Sequence, residues 1–262
     1  MIDIGANLTD KSFQNDLREV IERAVQENLE RIVVTGTNVP KSREAAMISK
    51  RYPDYLAFTA GVHPHHADEV SDGWLDKIAE LAEQGAVAIG ETGLDYFRNF
   101  STRANQRNVF QAQLELASRL RMPVFVHDRD SKGEVLEMLK DFATTDVVVH
   151  CFTGDGGLLD AYLDIGCYIG ITGWICDPRR GKELVDIVNR IPDDRLMLET
   201  DSPYLMPKNI SPKPSTRRNE PMNLKYVRTK VAQARRRDEG HINEVTTNNA
   251  RRFFRLAESS HE

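Results

Sequence analysis

The stretch that decides the fold is Pro123-Val124-Phe125-Val126-His127, which is followed at 147–150 by Val-Val-Val-His. Both runs are short, rich in valine and without polar alternation, which is typical of strands that are buried on both faces. The segment between them, near 131–142, is predicted to be helical. A strand, a helix and a second strand in this order predict a parallel pair, with both histidines at the same edge of the sheet.

The same strand–helix unit recurs along the whole chain. Residues 102–121 have the clearest helical spacing, with apolar side chains at every third or fourth position. The predicted strands lie near 2–7, 31–36, 56–62, 86–91, 123–127, 146–150, 167–172 and 196–201. The other predicted helices lie near 14–28, 41–51, 73–84, 131–142, 156–165 and 181–190.

About eight strand–helix units predict an α/β fold, a (β/α)8 TIM barrel, with an open doubly wound parallel sheet as the alternative. The length of 262 residues is near that of one such barrel. No low-complexity stretch or linker divides the chain, so we expect a single domain over residues 1–262.

The composition excludes several functional classes. No stretch is long and apolar enough to span a bilayer, and the N-terminus lacks the pattern of a signal peptide, so no membrane association is expected. Three cysteines without a CxxC pair are more typical of a reducing cytoplasm than of a disulfide scaffold. The net charge of −5 means that any binding of a polyanion depends on a local basic patch.

Metal-ligand residue types stand at the ends of five apolar runs. They are His63, Glu91, His127, His150 and Asp201. Because parallel strands bring their C-terminal ends to one rim, we expect these side chains to share one site. A buried carboxylate needs a partner, and imidazole is a common metal ligand, so Glu91, His127 and His150 are predicted to bind a metal. A structural ion pair is the alternative for Glu91, and a satisfied core position is the alternative for each histidine.

Two further groups of residues near the predicted rim are less sharply assigned. Asp201 could be a ligand, a general base or both, or only a turn residue before Pro203. Glu199 alternates with Asp201 and could form an ion pair inside the barrel. His63 and His65 are predicted to lie at the rim, where they could bind the metal or contact the substrate.

The segment 203–222 is different in kind, because it contains five of the eleven prolines and follows the last predicted strand. It cannot be a regular helix or a central strand, so a loop is expected. Asn219-Glu220-Pro221 has the pattern of a helix start. Together with Arg217 and Arg218, this start predicts a phosphate-binding cradle, with a solvated surface loop as the alternative.

Seven strings in this order closely resemble the TatD family of metal-dependent deoxyribonucleases, from Asp3 to about Phe254. They are Asp-Ile-Gly-Ala-Asn-Leu-Thr (3–9), Gly-Val-His-Pro-His (61–65), Gly-Glu-Thr-Gly-Leu-Asp (90–95), His-Asp-Arg-Asp (127–130), His-Cys-Phe-Thr-Gly (150–154), Glu-Thr-Asp-Ser-Pro-Tyr (199–204) and Arg-Asn-Glu-Pro (218–221). The string Tyr-Ile-Gly-Ile-Thr-Gly-Trp at 168–174 also looks like the TatD branch of that family.

The resemblance implies a barrel of the amidohydrolase-like, metal-dependent hydrolase superfamily and Mg²⁺-dependent 3′ to 5′ hydrolysis of single-stranded DNA, with RNA as a further substrate, in the cytoplasm. Mn²⁺ and Zn²⁺ remain open, because imidazole ligands suit them as well. The implied metal ligands are Glu91, His127, His150 and Asp201, and the implied catalytic residues are Asp201 and Glu91. His63 and His65 match rim positions of the family motif near the substrate. With Arg217, Arg218 and Asn219 of the predicted phosphate cradle, they are the predicted substrate-binding residues.

One departure from many relatives affects the expected metal content. Gly5 and Asn7 stand where such relatives carry His-x-His on the first strand, so one firm metal is expected rather than a filled two-metal centre. The expected mechanism uses a metal-activated water that is oriented or deprotonated by Asp201. Two alternatives remain: a hydrolase of another ester or amide, such as a D-aminoacyl-tRNA deacylase, and a non-catalytic binding protein. No obligate protein partner is implied.

Overall fold

The computed structural model describes residues 1–142 and 145–257 and contains one sheet of eight parallel strands. The strands are β1 (Ile2–Ala6), β2 (Arg31–Val34), β3 (Leu56–Ala60), β4 (Ala88–Asp95), β5 (Val124–Arg129), β6 (Val147–His150), β7 (Tyr168–Ile171) and β8 (Leu196–Leu198). They are neighbours in chain order, and β1 meets the residues after β8 through a parallel bridge between Ala6 and Ser202. The backbone N–H of Asn7 donates to the Ser202 carbonyl at 2.7 Å. This order confirms the barrel and excludes the open doubly wound sheet.

Helices follow the strands on the outside of this barrel. They are α1 (Leu17–Gln26), α2 (Val39–Arg51), α3 (Trp74–Glu83), α4 (Arg103–Leu120), α5 (Glu134–Lys140), α6 (Gly156–Asp164), α7 (Lys182–Ile187), α8 (Leu224–Arg235) and α9 (Glu239–Phe254). Side-chain caps mark several starts, as where Thr102 accepts from the Asn105 N–H and Asp155 from the Leu158 N–H. None of the helices within the described ranges is long and apolar enough to cross a membrane.

Two strands differ most from their predicted bounds. β4 continues to Asp95, four residues past its predicted end, because it stays paired with β5 as far as the Asp95–Arg129 pair. β8 ends at Leu198 rather than 201, since Asp201 has a left-handed φ of +53° and leaves the ladder. Pro221 does begin a helical turn, a 3₁₀ turn over Pro221–Asn223, and α8 follows it directly.

The apolar core has two layers. A large outer layer lies between the strands and the helices α1 to α8. A smaller layer fills the inside of the barrel with residues such as Ile4, Phe125 and Met197. The sequence prediction did not include α9, which places Phe253 and Phe254 against this inner layer. An apolar helix end therefore closes the barrel beneath its polar rim.

Candidate metal centre

The strand ends place Glu91, His127 and His150 together at the C-terminal rim. His127 and His150 are register partners on β5 and β6, and Gly93 of β4 pairs with His127. Glu91 Oε1 lies 2.7 Å from His150 Nε2 and 3.1 Å from His127 Nδ1, and these two nitrogens are 3.4 Å apart. One carboxylate oxygen and two ring nitrogens thus form a compact triangle of potential donor atoms.

Two neighbouring carboxylates orient the histidines of this triangle. Glu199 Oε2 lies 3.3 Å from His150 Nδ1, and Asp95 Oδ2 lies 3.5 Å from His127 Nε2. An ionised carboxylate only accepts hydrogen bonds, so we assign the proton of each ring to the nitrogen that faces it. With a cation bound in place of the protons that these nitrogens would otherwise share with Glu91, the lone pairs of His150 Nε2 and His127 Nδ1 would point into the triangle, which is the usual carboxylate–histidine–metal pattern.

His63 belongs to the same cluster but faces Glu91 with a donor atom. Its Nδ1 accepts the His65 backbone N–H at 3.0 Å, so its Nε2, 3.3 Å from Glu91 Oε1, carries the proton. The ring nitrogens of His63 and His127 and the carboxylate of Glu91 lie within 4.8 Å of one another, close enough for a shared ion. The tautomer nevertheless makes His63 a hydrogen-bond donor to Glu91 rather than a ligand in this arrangement.

The pKa shifts in the cluster indicate strong electrostatic attraction between its buried carboxylates and its histidines. Burial alone would raise the pKa of Glu91, but His150 and His63 bring it well below its usual value. Burial would lower the pKa of His150, yet Glu91 and Glu199 raise it well above its usual value. Burial likewise opposes protonation of His127, whose pKa the carboxylates of Asp95 and Glu91 raise to about 8. For His63 burial dominates and lowers the pKa to about 4.

These residues fit a divalent cation. Glu91 and His150 are buried, and the buried Nε2 of His127 faces Asp95 Oδ2 at the long distance of 3.5 Å, without a closer hydrogen bond in the described part of the chain. Ionised carboxylates in such a place need compensating positive charge. The donor set of one carboxylate oxygen and two imidazole nitrogens suits Zn²⁺ and Mn²⁺, and also Mg²⁺ when water and phosphate oxygens complete the shell. The cluster could therefore hold a metal, with Glu91, His127 and His150 as its ligands.

Asp201 lies beside the triangle and is held from the first strand. Its Oδ1 accepts from Asn7 Nδ2 at 3.0 Å, and its backbone N–H donates to the Gly5 carbonyl at 2.9 Å. Burial raises the pKa of Asp201 to about 8, although the charge on His150 acts in the opposite direction. Among the described residues the Asp201 side chain is hydrogen-bonded to Asn7 and not to the triangle, so its part in metal binding stays a prediction.

The first strand offers no room for another ligand at position 5. A Cβ on Gly5 would lie 2.6 Å from Glu199 Oε2 and 2.9 Å from the ring of Phe125. Glu199 itself is fully buried and forms the predicted ion pair inside the barrel, with His150. The carboxylate that orients His150 thus occupies the space that a side chain at position 5 would need.

Sequence reasoning missed Asp95 as a functional residue. Its Oδ2 contacts His65 Nε2 at 2.6 Å as well as His127, which links the rim histidine to the cluster. A signal was present, because Glu91, Gly93 and Asp95 alternate and so share one face of an extended strand. This alternation was not recognised because β4 was predicted to end at residue 91.

The loop residues predicted to bind phosphate differ in their exposure to solvent and in their contacts within the fold. Arg217 is exposed. The guanidinium of Arg218 donates to Asp16 at 2.6 Å and to Glu220 at 2.6 Å, so its charge is balanced within the fold. Asn219 is fully buried, and its Nδ2 donates to the Thr200 carbonyl at 3.1 Å. Arg218 and Asn219 thus stabilise the conformation of the loop after β8. Their contact with phosphate stays a prediction.

Comparison with known proteins gives a consistent family. The model of the family "TatD related DNase" matches residues 2–255. Proteins named "3'-5' ssDNA/RNA exonuclease TatD" from Pectobacterium parmentieri and Edwardsiella piscicida are each 46% identical over 260 residues, which is 98% of this chain and 100% of theirs. Among solved structures, a TatD family hydrolase from Entamoeba histolytica has a TM-score of 0.88 at 29% identity, with 98% of both chains covered. A TatD homologue from Escherichia coli has a TM-score of 0.89 at 27% identity, with 98% of both chains covered. The chain belongs to the TatD-related DNase family and is a hydrolase of phosphodiester bonds.

Proposed function

We propose that this protein is a metal-dependent 3′–5′ exonuclease that acts on single-stranded DNA and RNA, with Mg²⁺ as its working cation. The observation that carries the proposal is the triangle of Glu91 Oε1, His127 Nδ1 and His150 Nε2, whose sides measure 2.7 to 3.4 Å. A cation held there would supply Lewis-acid polarisation of a phosphoryl oxygen and lower the pKa of a water. The relatives with 46% identity are named for the same activity.

The residues around the triangle keep the donor atoms in place. Glu199 and Asp95 hold the tautomers of His150 and His127, so that both rings present a lone pair. His63 donates to Glu91 and so fixes the orientation of its carboxylate. Phe125 stacks under His150 at 4.5 Å between ring centres and excludes water from below. The donor set is therefore preorganised before substrate arrives.

Asp201 is the residue we assign to proton transfer. Asn7 donates to its Oδ1, which leaves Oδ2 to take a proton from the attacking water or to give one to the leaving oxygen. His65, held by Asp95, lies at the rim beside the cluster, where its ring can contact the phosphate next to the cleaved bond. We also propose that Asp201 is an additional metal ligand and that Arg217 contacts a phosphate of the substrate.

The sequence also predicts the wider setting, which forms part of the proposal. We expect a single domain, action in the cytoplasm and no need for a protein partner, with a polynucleotide as the only macromolecule bound at the rim.

The test is hydrolysis of 3′-labelled single-stranded DNA, duplex DNA and RNA by chelator-stripped protein, with and without added Mg²⁺. We expect stepwise release of mononucleotides from single strands that depends on the metal. Glu91→Gln, with circular dichroism to verify folding, should lose roughly 10³-fold in rate, because the several kcal/mol of charge stabilisation at the metal are lost. Hydrolysis at the parent rate by folded Glu91→Gln would contradict the proposal. Release of amino acid from D-aminoacyl-tRNA instead of nucleotides would favour the deacylase alternative.

A further inference from the structure

The rim above the metal centre contains exposed aromatic side chains. Four large apolar side chains are strongly exposed in the described part of the chain, and three of them follow rim strands: Phe97 (60%), Phe100 (67%) and Tyr204 (55%). Phe97 and Phe100 lie in the loop after β4, and Tyr204 follows Asp201. Trp174, half-buried after β7, completes a group that we call the aromatic rim: Phe97, Phe100, Trp174 and Tyr204.

An arginine lies between two members of the aromatic rim. Arg129 follows His127 by two residues on β5, so both side chains leave the strand on the same face, towards the mouth of the barrel. Its guanidinium carbon lies 5.1 Å from the ring centre of Phe97 and 5.1 Å from that of Trp174. Arg180 lies 4.4 Å from Trp174 on the same loop. The rim therefore combines flat apolar faces with positive charge.

The aromatic rim is continuous with the metal centre. The ring of Phe100 lies 4.7 Å from that of His65, whose Nε2 contacts the carboxylate of Asp95 beside His127. The backbone N–H of Tyr204 donates to the carbonyl of Asp201 at 3.0 Å. Phe100 and Tyr204 thus connect the aromatic rim to His65 and to Asp201.

We propose that the aromatic rim with Arg129 is a base-stacking subsite that holds the unpaired nucleotides next to the cleaved bond and so selects single strands. The proposal rests on the proposed function. Aromatic faces interleaved with arginine are how proteins bind unpaired bases without reading their sequence. A base within a duplex has both faces covered by its neighbours, so it cannot stack on the aromatic rim. DNA and RNA share this chemistry and are both expected to bind.

The test measures binding of short fluorescein-labelled single strands by anisotropy, in chelator, so that no strand is cleaved. The variants are Phe97→Ala and Trp174→Ala, and the matched control is Met47→Ala, which removes an equally exposed apolar side chain (66%) from α2. The probes are oligothymidylate, oligouridylate, a duplex, and an abasic strand that has the same phosphates without bases.

Each rim variant should weaken binding of oligothymidylate and oligouridylate roughly 10-fold, because a stacking partner is lost. The abasic strand should bind weakly to the parent and equally weakly to the variants, and Met47→Ala should match the parent throughout. Parent-like binding of oligothymidylate by both rim variants would overturn the proposal. An equal loss of affinity for the abasic strand would also overturn it, since the rings would then act only through the fold.

Two outcomes separate this inference from the proposed function. If binding depends on the rim as stated but the parent with Mg²⁺ or Mn²⁺ releases no nucleotide, the subsite stands and the exonuclease proposal fails. If the parent cleaves single strands while the rim variants bind them as the parent does, the exonuclease stands and the subsite fails. A loss of self-association in Phe97→Ala, without loss of binding to oligothymidylate, would assign the rim to contact between two copies and overturn the proposal.

Discussion

The two ends of the barrel interior differ sharply although the same strands build both. On β5 the inward side chain changes from Phe125 to His127 within two residues, and on β6 it changes from Val148 to His150. Below this level the interior is apolar and closed by Phe253 of α9. Above it the interior holds the metal-binding cluster. Stability and chemistry are thus separated by one step of the strand repeat, as is general in such barrels.

The apolar end of the interior also strengthens the electrostatic contacts at the polar end. Phe125 lies under His150, and the fully buried carboxylate of Glu199 contacts His150 at the boundary between the two ends. Low polarity on one side strengthens each electrostatic contact on the other. The comparison predicts that substitutions at the lower end change stability, that those at the upper end change activity, and that those at the boundary change both.

The largest expected effect is at the lower end. Phe253→Ala removes a buried ring that lies 5.3 Å from Tyr168 and 4.7 Å from Phe254, between ring centres. A cavity of this kind typically costs about 3–5 kcal/mol of the free energy of unfolding. Urea unfolding should detect this loss, while activity per folded molecule stays at the parent value. Lost activity with unchanged stability would show that the two ends are not separate.

Asp3, a fully buried carboxylate of β1, should give a smaller effect that depends on pH. Burial raises the pKa of Asp3 to about 7, although hydrogen bonds from Thr200 act in the opposite direction. Between the unfolded value near 4 and the folded value near 7, the folded state holds a proton that the unfolded state has released. Stability therefore falls as pH rises through this window, by about 1.4 kcal/mol per unit.

Asp3→Asn removes this titration and keeps an acceptor for the N–H groups of Thr200 and Gly5. In chelator, the parent should lose about 2–3 kcal/mol more than the variant between pH 5 and pH 8, measured as the free energy of unfolding. An identical pH dependence in the two proteins would contradict the assignment of a raised pKa to Asp3.

The smallest expected effect concerns a carboxylate that orients a ligand from outside the triangle. Glu199→Gln removes the charge that faces His150 Nδ1 and should lower metal affinity or activity by about 10–100-fold. The matched control is Glu69→Gln, which removes an exposed carboxylate from half-buried His66. Metal affinity by calorimetry and kcat/KM on a single strand are the measurements. Unchanged metal affinity and unchanged kcat/KM in Glu199→Gln would show that Glu199 does not orient His150 for metal binding.

Much of this architecture was predictable, because it follows from short-range periodicity. Buried valine-rich strands predict a parallel sheet, and a parallel sheet brings its C-terminal ends together, so Glu91, His127 and His150 could be expected to meet. Glu199 could be assigned to the barrel interior because it alternates with Asp201. The length of the chain was enough to favour a closed barrel over an open sheet.

The parts that sequence did not predict depend on irregular backbone or on distant partners. The register shift between Gly90 and Thr92 carries β4 on to Asp95, and periodicity alone does not locate such a shift. Arg218 is balanced by Asp16, about two hundred residues earlier in the chain. The tautomer of His63 depends on a backbone N–H that a local turn presents to it. Each of these needs three-dimensional contacts that no sequence pattern contains.

The metal centre described above requires the upper end of the barrel to bind a divalent cation through Glu91, His127 and His150. Calorimetric titration of Mn²⁺ into chelator-stripped protein tests it most directly, without any substrate. We expect one saturable site in the parent that is lost in folded Glu91→Gln and retained in Met47→Ala. Equal binding of Mn²⁺ by the parent and by Glu91→Gln would contradict it.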